Sequence, residues 1–272
     1  RDLHLSIRRQ RQMCIRDRQR RPLVWELPIA TAYAFSMLAL ASLYRLAHRP
    51  TPGAALLAGL SLGLAAASRP TYWVGAIALA PVAWEWWRTR RAAPGRAVAY
   101  LGWMAGGLTA CAAAVAAHNY ARFESPFEFG QNFQLTSVYE SKMAHFRPRY
   151  VPHNLGIYYL HAPELAAKFP FVRATAVDHG PPGYLGFWNE PVVGLAVAFP
   201  FLWLALAAPL AWWNREHKER RRLRTFGLSV LALFAGMSAV TLSFFLATPR
   251  YMADFAPSLA LLAALGCLGV ER

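Results

Sequence analysis

Apolar stretches of roughly bilayer length recur along the whole chain, and nothing constrains its fold more. They cover about Leu27–Leu46, Ala54–Ser68, Tyr72–Trp87, Val98–Ala117, Val192–Trp213, Thr225–Leu246 and Met252–Val270. A helix needs roughly 20 apolar residues to cross hydrocarbon about 30 Å thick, and within lipid only helices and closed barrels satisfy every backbone N–H and C=O. Long Ala/Leu/Gly runs lack the alternation of barrel strands. The expectation is therefore an all-α, polytopic transmembrane helix bundle of about seven spans with one large outer loop. With 56% of its 272 residues hydrophobic and 16% charged, the chain is too apolar for a soluble domain, where about a quarter of residues are charged. The second and third stretches, separated by Arg69-Pro70, reach only about 22 to 24 Å by helical rise. They read either as short spans or as a hairpin whose turn dips into the interface.

The net charge of +15 would suggest nucleic acid on a globular surface, but here it is distributed as a membrane protein distributes it. Eight arginines and two aspartates fall in the first 22 residues. Most of the remaining excess lies in short hinges: Arg45 and Arg49; Arg88, Arg90, Arg91 and Arg96; Arg215, Lys218, Arg220, Arg221, Arg222 and Arg224. Basic hinges stay in the cytosol, so no nucleic-acid partner is expected and membrane lipid is. The segment 119–190 then faces outward, with six basic and six acidic residues and hence no net charge. The resulting division is a basic tail over 1–21, helices over 22–118, an outer loop with interfacial helices over 119–190, and helices over 191–272. The tail reads as non-native or disordered, because the chain begins with Arg1 and its Gln10–Arg18 stretch resembles misassembled junction sequence; an ordinary basic juxtamembrane tail is the alternative. The three cysteines, Cys14, Cys111 and Cys267, give neither a disulfide framework nor a metal spacing, and no metal site is expected from the residues.

Two helices carry small residues four apart, a spacing that lets backbones approach in lipid: Ala55, Gly59, Gly63 and Ala67, and Gly102, Gly106, Ala110 and Ala114. Both stripes read as packing seams, the second leading to His118. The outer segment is rich in aromatics and proline, and the spacing of Leu155, Tyr158, Tyr159, Leu165 and Phe169 predicts short surface helices broken before Pro163. Tyr184, Phe187 and Trp188 suit an interfacial belt.

Ionisable groups near hydrocarbon pair with one another or line a polar cavity, and those flanking the spans share the outer side. His118, Asn119, Arg122, Glu124 and Glu128 follow one span, Arg69 lies at a turn, and Arg250, Tyr251 and Asp254 open the last span. They define a candidate cleft. Each has a plainer alternative: Arg250 pairing with Asp254 at i,i+4, Arg69 anchoring its turn to lipid phosphate, Glu124 and Glu128 capping locally, and His118 satisfied in place. Glu85 is expected to pair with Arg88. Phosphate-binding glycine loops and His-Glu-x-x-His are absent from the sequence, which disfavours the soluble enzyme classes that use them.

The run Gly59-Leu60-Ser61-Leu62-Gly63-Leu64-Ala65 ending in Ser68-Arg69-Pro70, the stretch His118-Asn119-Tyr120-Ala121-Arg122-Phe123 with Ser125-Pro126-Phe127-Glu128-Phe129-Gly130, and the late Arg250-Tyr251 together resemble bacterial C-type glycosyltransferase superfamily membrane proteins, the superfamily of protein O-mannosyltransferases and aminoarabinose transferases. The resemblance spans about residues 22 to 270 through loose motifs. It implies a multi-pass protein of the bacterial inner membrane that transfers a sugar from a polyprenyl-phosphate donor on the outer face. It also implies that the catalytic carboxylate, with any divalent metal, belongs to an outer loop upstream of this fragment. Arg250, Arg69 and Arg122 would then contact the donor phosphate by forked hydrogen bonding. Tyr251, His118, Asn119, Glu124, Glu128 and Asp254 would shape the cleft. The rival expectation is a non-enzymatic membrane protein, a transporter or lipid-handling subunit, for which polar or broken helices at mid-membrane would be the sign. Topology is directly testable. In intact cells a membrane-impermeant thiol reagent should modify His145→Cys and spare His217→Cys; the reverse pattern would place the cleft on the wrong side.

Overall fold

The computed structural model describes residues 26–89, 94–130, 133, 145–169, 171–186, 189–213 and 215–271. The basic tail, Arg90 and Arg91, and the Phe187-Trp188 part of the expected aromatic belt lie outside them. The fold is mostly helical. Helix α1 (Glu26–His48) carries Glu26 in its first turn and Arg45 and His48 in its last, which complements the helix dipole at both ends. Helix α2 (Pro52–Ser68) starts where the Thr51 side chain accepts a hydrogen bond from the Ala54 N–H at 3.2 Å, with Pro52 in its first turn. It stops at Arg69, because the residue before Pro70 is driven into extended backbone. A 3-10 helix, Pro70–Leu79, leads into α3 (Ala80–Thr89), and α4 (Pro94–Phe123) runs back along the bundle.

The described part of the segment expected to face outward folds as a 3-10 turn (Pro148–Tyr150), α5 (Val151–Leu155) and a π-helical turn (Gly156–Leu160). An antiparallel pair follows, β1 (Glu164–Leu165) and β2 (Val172–Arg173), with Glu164 opposite Arg173 and Leu165 opposite Val172. After α6 (Leu195–Ala198), a 3-10 helix (Pro200–Ala207) and α7 (Leu210–Trp213), α8 (His217–Leu242) forms the centre of the bundle. A last 3-10 turn (Pro249–Asp254) precedes α9 (Ala256–Val270).

Three expectations are corrected. About seven spans were expected; among the described residues three helices, α1, α4 and α8, are long and apolar enough to cross a membrane. The other four apolar stretches are shorter or interrupted. The helix α2 has 17 residues, the stretch 72–87 changes from 3-10 to α at Ala80-Pro81, the stretch 192–213 breaks at Pro200 and Pro209, and α9 has 15 residues after its 3-10 lead. Proline removes a backbone donor and crowds the preceding turn, so hydropathy alone overestimated continuous helix. Next, helical turns were expected as far as Phe169, whereas helix ends at Leu160 and the chain beyond Pro163 forms the small hairpin, so the fold is not strictly all-α. Finally, α4 continues to Phe123, which puts Asn119 and Arg122 on its closing turns with His118 rather than in the loop expected from residue 119.

Packing confirms one small-residue seam and corrects the other. A methyl group at Gly59 would collide with the Met104 carbonyl, and one at Gly63 would sit 2.5 Å from Cys111 Cβ. On α4 the reciprocal position is Gly107, where a methyl would meet the Leu56 oxygen at 2.7 Å. Gly102, Gly106, Ala110 and Ala114 are exposed instead, on a helix with only 17% of its most apolar window buried. The α4 seam is therefore Met104–Gly107–Cys111, about a third of a turn round the helix from the stripe the spacing suggested.

The ends of the bundle differ. Arg222 on α8 donates to the His48 carbonyl at 3.1 Å, and Arg221 pairs with Glu85 on α3, which gathers the basic hinges at one end. Thr241, on the same α8, borders Arg69 and Asp254 at the other end. Twenty residues of helix separate Arg221 from Thr241, about 30 Å, the thickness of the hydrocarbon core. Gly59→Leu and Gly63→Leu should each destabilise the protein by about 1–3 kcal/mol or more, read as lowered melting temperature in detergent. Gly102→Leu and Gly106→Leu should leave melting within experimental error; equal losses at both stripes would refute the assigned seam.

Candidate functional site

The polar cluster at the end opposite the basic hinges is built on three chain breaks. The stop of α2 before Pro70 leaves Arg69 extended, so its guanidinium swings away from the helix. Its Nη2 lies 2.9 Å from Asp254 Oδ2, its Nε donates to Thr71 Oγ1 at 3.4 Å, and its central carbon lies over the Tyr251 ring, 4.9 Å from the centroid. The 3-10 turn Pro249–Asp254 brings Tyr251 and Asp254 to the same side. Tyr72 donates to the Asp254 carbonyl at 3.3 Å, which ties that turn to the chain just beyond Arg69. The Asp254 side chain is only 2% exposed, and its second oxygen, Oδ1, has no hydrogen-bond partner among the described residues.

A cavity of about 450 Å³ opens onto this pair. Arg69, Thr71, Tyr251 and Asp254 form its polar side, and Phe244, Phe245, Phe146 and His145 its aromatic side. The His145 ring meets Phe245 edge-on with centroids 5.2 Å apart, and its Nε2 is buried without a partner among the described residues. Arg250, next in sequence to Tyr251 but not part of the cavity lining, has its Nη2 2.8 Å from Glu190 Oε1.

The segment between α4 and α6 holds the aromatic wall in place. Where α8 ends, its last carbonyls lack intrahelical donors. The fully buried Asn154 supplies them, with Nδ2 donating to Leu242 O at 2.8 Å and Phe244 O at 2.7 Å. Tyr184 Oη in turn donates to Asn154 Oδ1 at 2.6 Å. Burial pushes the Tyr184 phenol up to about 12, so this donor keeps its proton across the physiological range. Asn189 Oδ1 accepts from the Ala247 N–H at 2.6 Å, and Tyr158 Oη accepts from the Thr248 N–H at 3.1 Å. His153, packed edge-on against Tyr184 at 4.8 Å, has its pKa lowered mainly by burial.

Of the residues singled out from the sequence, the structure brings Arg69, Tyr251 and Asp254 into one cavity and leaves Arg250 outside its lining. The expected Arg250–Asp254 pair is replaced by Arg250–Glu190 and Arg69–Asp254, and the expected Glu85–Arg88 pair by Glu85–Arg221. A 3-10 turn does not place i and i+4 on one face as an α-helix does, which is why the spacing misled at Asp254. Arg122 stacks on its neighbour Phe123 at 4.9 Å and does not line the cavity. Asn119 donates to Pro126 O at 3.3 Å, Glu128 accepts from the Gly130 N–H at 2.7 Å, and Glu124 is exposed with φ of 57°. These residues stabilise the turn after α4. Exposed His118 borders a separate hollow of about 270 Å³ with Phe129 and Cys111.

Sequence reasoning missed His145, Thr71, Asn154, Asn189 and Glu190, and it placed Tyr184 in an interfacial belt, whereas the structure buries it on Asn154. Asn154 and Asn189 in an otherwise aromatic segment were the available signal, since an amide taken out of water, as Asn154 is, must have partners. Among the described residues no three His, Cys, Asp or Glu side chains are grouped to hold a metal ion. Comparison of the chain with protein-family models, with curated proteins and with solved structures gives no match.

The buried pair makes a thermodynamic prediction. Arg69→Met or Asp254→Leu alone should each destabilise by about 3–5 kcal/mol by stranding the partner charge, whereas the double variant should recover most of that loss. Additive losses in a double-mutant cycle of melting measurements would show that the two side chains do not act as a unit.

Proposed function

We propose that this multi-pass membrane protein is a glycosyltransferase that takes a sugar from a polyprenyl-phosphate donor at the outer face of a bacterial inner membrane. The observation that carries the reading is the cavity of about 450 Å³ joining Arg69, Tyr251 and Asp254 at the end of the bundle away from the basic hinges. A lipid-linked donor needs its reactive phosphate at the membrane boundary, a cation for the charge that develops on the leaving phosphate, and hydrogen-bonding groups for sugar hydroxyls. Arg69 spends Nε and one terminal nitrogen on Thr71 and Asp254; its remaining nitrogen is available for a phosphate oxygen. Arg250 would join it by exchanging Glu190 for the ligand. Asp254 orients Arg69 and offers Oδ1 to a hydroxyl, while Tyr251 and the Phe244-Phe245 wall give the sugar an apolar face to lie against.

Arg122, grouped with these arginines on sequence, takes no part in this reading, since it packs on Phe123. His118, Asn119, Glu124 and Glu128 are likewise assigned to the turn beside α4 rather than to the donor cavity. A specific observation also favours the non-enzymatic reading: the 3-10 stretches Pro70–Leu79 and Pro200–Ala207 are interrupted helices of the sort transporters use. Against it, these stretches are lined by Val, Ile, Ala, Leu and aromatic residues with no charge between Pro70 and Leu79, whereas coupling sites require polar groups there.

The test is consumption of polyprenyl-phosphate mannose, glucose and aminoarabinose by the full-length protein, with the upstream loop that the resemblance implies, in liposomes, followed as release of polyprenyl phosphate. Wild type should turn over at least one donor, and Arg250→Ala should lose roughly a hundredfold or more in kcat/KM, in the range found on removing one transition-state charge partner, with unchanged melting. Normal turnover by Arg250→Ala would remove the assigned role. Uptake of a donor without turnover, in either direction across the bilayer, would favour the transporter reading.

A further inference from the structure

The opposite end of the bundle holds a second site, independent of the sugar-transfer reading. Two adjoining cavities, of about 350 Å³ and 410 Å³, lie between α3, α8 and the start of α4. The Glu85–Arg221 ion pair belongs to both and forms the partition between them. Arg88, Arg220 and Arg224 line the first, and Arg96, Lys218 and Arg222 line the second. Among the described residues Glu85 is the only carboxylate on either wall. Within the same set Arg88, Arg96, Lys218, Arg220 and Arg224 have no carboxylate within ion-pair distance.

Folding has thus collected like charges from three helices around two concave spaces and left most of them without counter-ions. A topology signal requires only that the charges stay on one side of the membrane, and it does not require cavities. The depth of the site is marked independently. Trp84 and Trp87, on the same helix as Glu85 and Arg88, and Trp213, four residues before His217, are 62%, 51% and 63% exposed, and exposed tryptophans settle at the headgroup level of a bilayer. The cations therefore face lipid phosphates rather than bulk water.

We propose that the paired cavities bind the headgroup of an anionic membrane phospholipid, one phosphate on each side of the Glu85–Arg221 partition. A two-phosphate lipid of the cardiolipin type fits two adjoining cationic hollows better than a single phosphate does. Basic pockets between membrane helices are the expected setting for such headgroups. Bound there, the lipid neutralises the repulsion among the α3 and α8 arginines and clamps those helices together.

The test uses the full chain, purified in detergent and stripped of lipid, then titrated with cardiolipin, phosphatidylglycerol, phosphatidylcholine or inorganic phosphate at about 0.15 M salt. Binding is read by native mass spectrometry and by the shift in melting temperature. Cardiolipin should bind saturably, ahead of phosphatidylglycerol, and raise the melting temperature, while phosphatidylcholine should do neither. At about fivefold per cation near a lipid surface, the variant combining Arg88→Gln, Arg220→Gln and Arg224→Gln should bind cardiolipin roughly a hundredfold more weakly. Arg49→Gln, which removes an exposed charge at the same end but outside both cavities, should bind as wild type does. Equal binding of phosphatidylcholine by wild type, unsaturable uptake of anionic lipid, or equal losses in the triple variant and Arg49→Gln would each overturn the proposal. Displacement of cardiolipin by inorganic phosphate at equal concentration would also overturn it, by showing a site for the free anion.

Discussion

Inside an apolar bundle a chain break is tolerated only where something else satisfies the backbone groups it releases, and the architecture around the cavity follows from that constraint. The helix α8 must end at Leu242 for the chain to turn back as Phe244–Thr248 and re-enter as the Pro249–Asp254 turn. Its terminal carbonyls and the turn's N–H groups would each cost about 1–3 kcal/mol if buried without a partner. Asn154, Asn189 and Tyr158 provide those partners, and the backbone adds Arg147 N–H to Ser243 O at 2.8 Å and Leu185 N–H to Phe245 O at 2.9 Å. The segment between α4 and α6 is therefore a structural part of the bundle. Without it Phe244, Phe245 and Tyr251 would have no fixed position, and the cavity no wall.

The same constraint explains why Arg69 and Asp254 face each other. A carboxylate that is 2% exposed cannot stay charged without a cation, because desolvating an unpaired ion costs several kcal/mol. Arg69 reaches it only because α2 stops one residue before Pro70. The pair adds little net stability over an apolar replacement. Its presence in a bundle rich in alanine and leucine suits a positioning role, with the guanidinium carbon held over the Tyr251 ring at 4.9 Å on the polar side of an aromatic cavity.

Much of this was legible in the sequence, but unevenly. The class of protein followed from apolar runs, whose signal is additive and needs no knowledge of neighbours. The polarity of the bundle followed from Arg220–Arg222 and Arg88, since charge placement is likewise a local property. Arg69, Tyr251 and Asp254 were found because ionisable residues beside hydrocarbon are rare. Their partners were not found, because pairing depends on turn geometry: Asp254 lies four residues after Arg250 in number, yet a 3-10 turn lies between them. Continuous helix was overestimated at Pro81, Pro200 and Pro209 for a related reason, since hydropathy does not register a missing N–H donor. The α4 seam at Gly107 was invisible because Gly102 and Gly106 offer the same four-residue spacing, and only the direction of α2 decides which face is covered.

The two ends of the molecule invite anions on different terms. At the basic end the cations outnumber the single carboxylate, Glu85, among the described residues, so any phosphate at headgroup depth meets net attraction. At the other end each arginine of the candidate site already has a carboxylate, Arg69 with Asp254 in the cavity and Arg250 with Glu190 outside its lining, so a bare phosphate would meet nearby negative charge along with its partners. The unpartnered Asp254 Oδ1 changes that balance for one class of ligand. A molecule carrying hydroxyls beside its phosphate can donate to that oxygen while its anion displaces Glu190 from Arg250, gaining a hydrogen bond that a simple anion lacks. Selection by a satisfied polar site is strong because the competitor leaves a buried group unpaired. A phosphate linked to a sugar would meet both requirements, and this is why the cavity with less net charge is the one proposed for the donor.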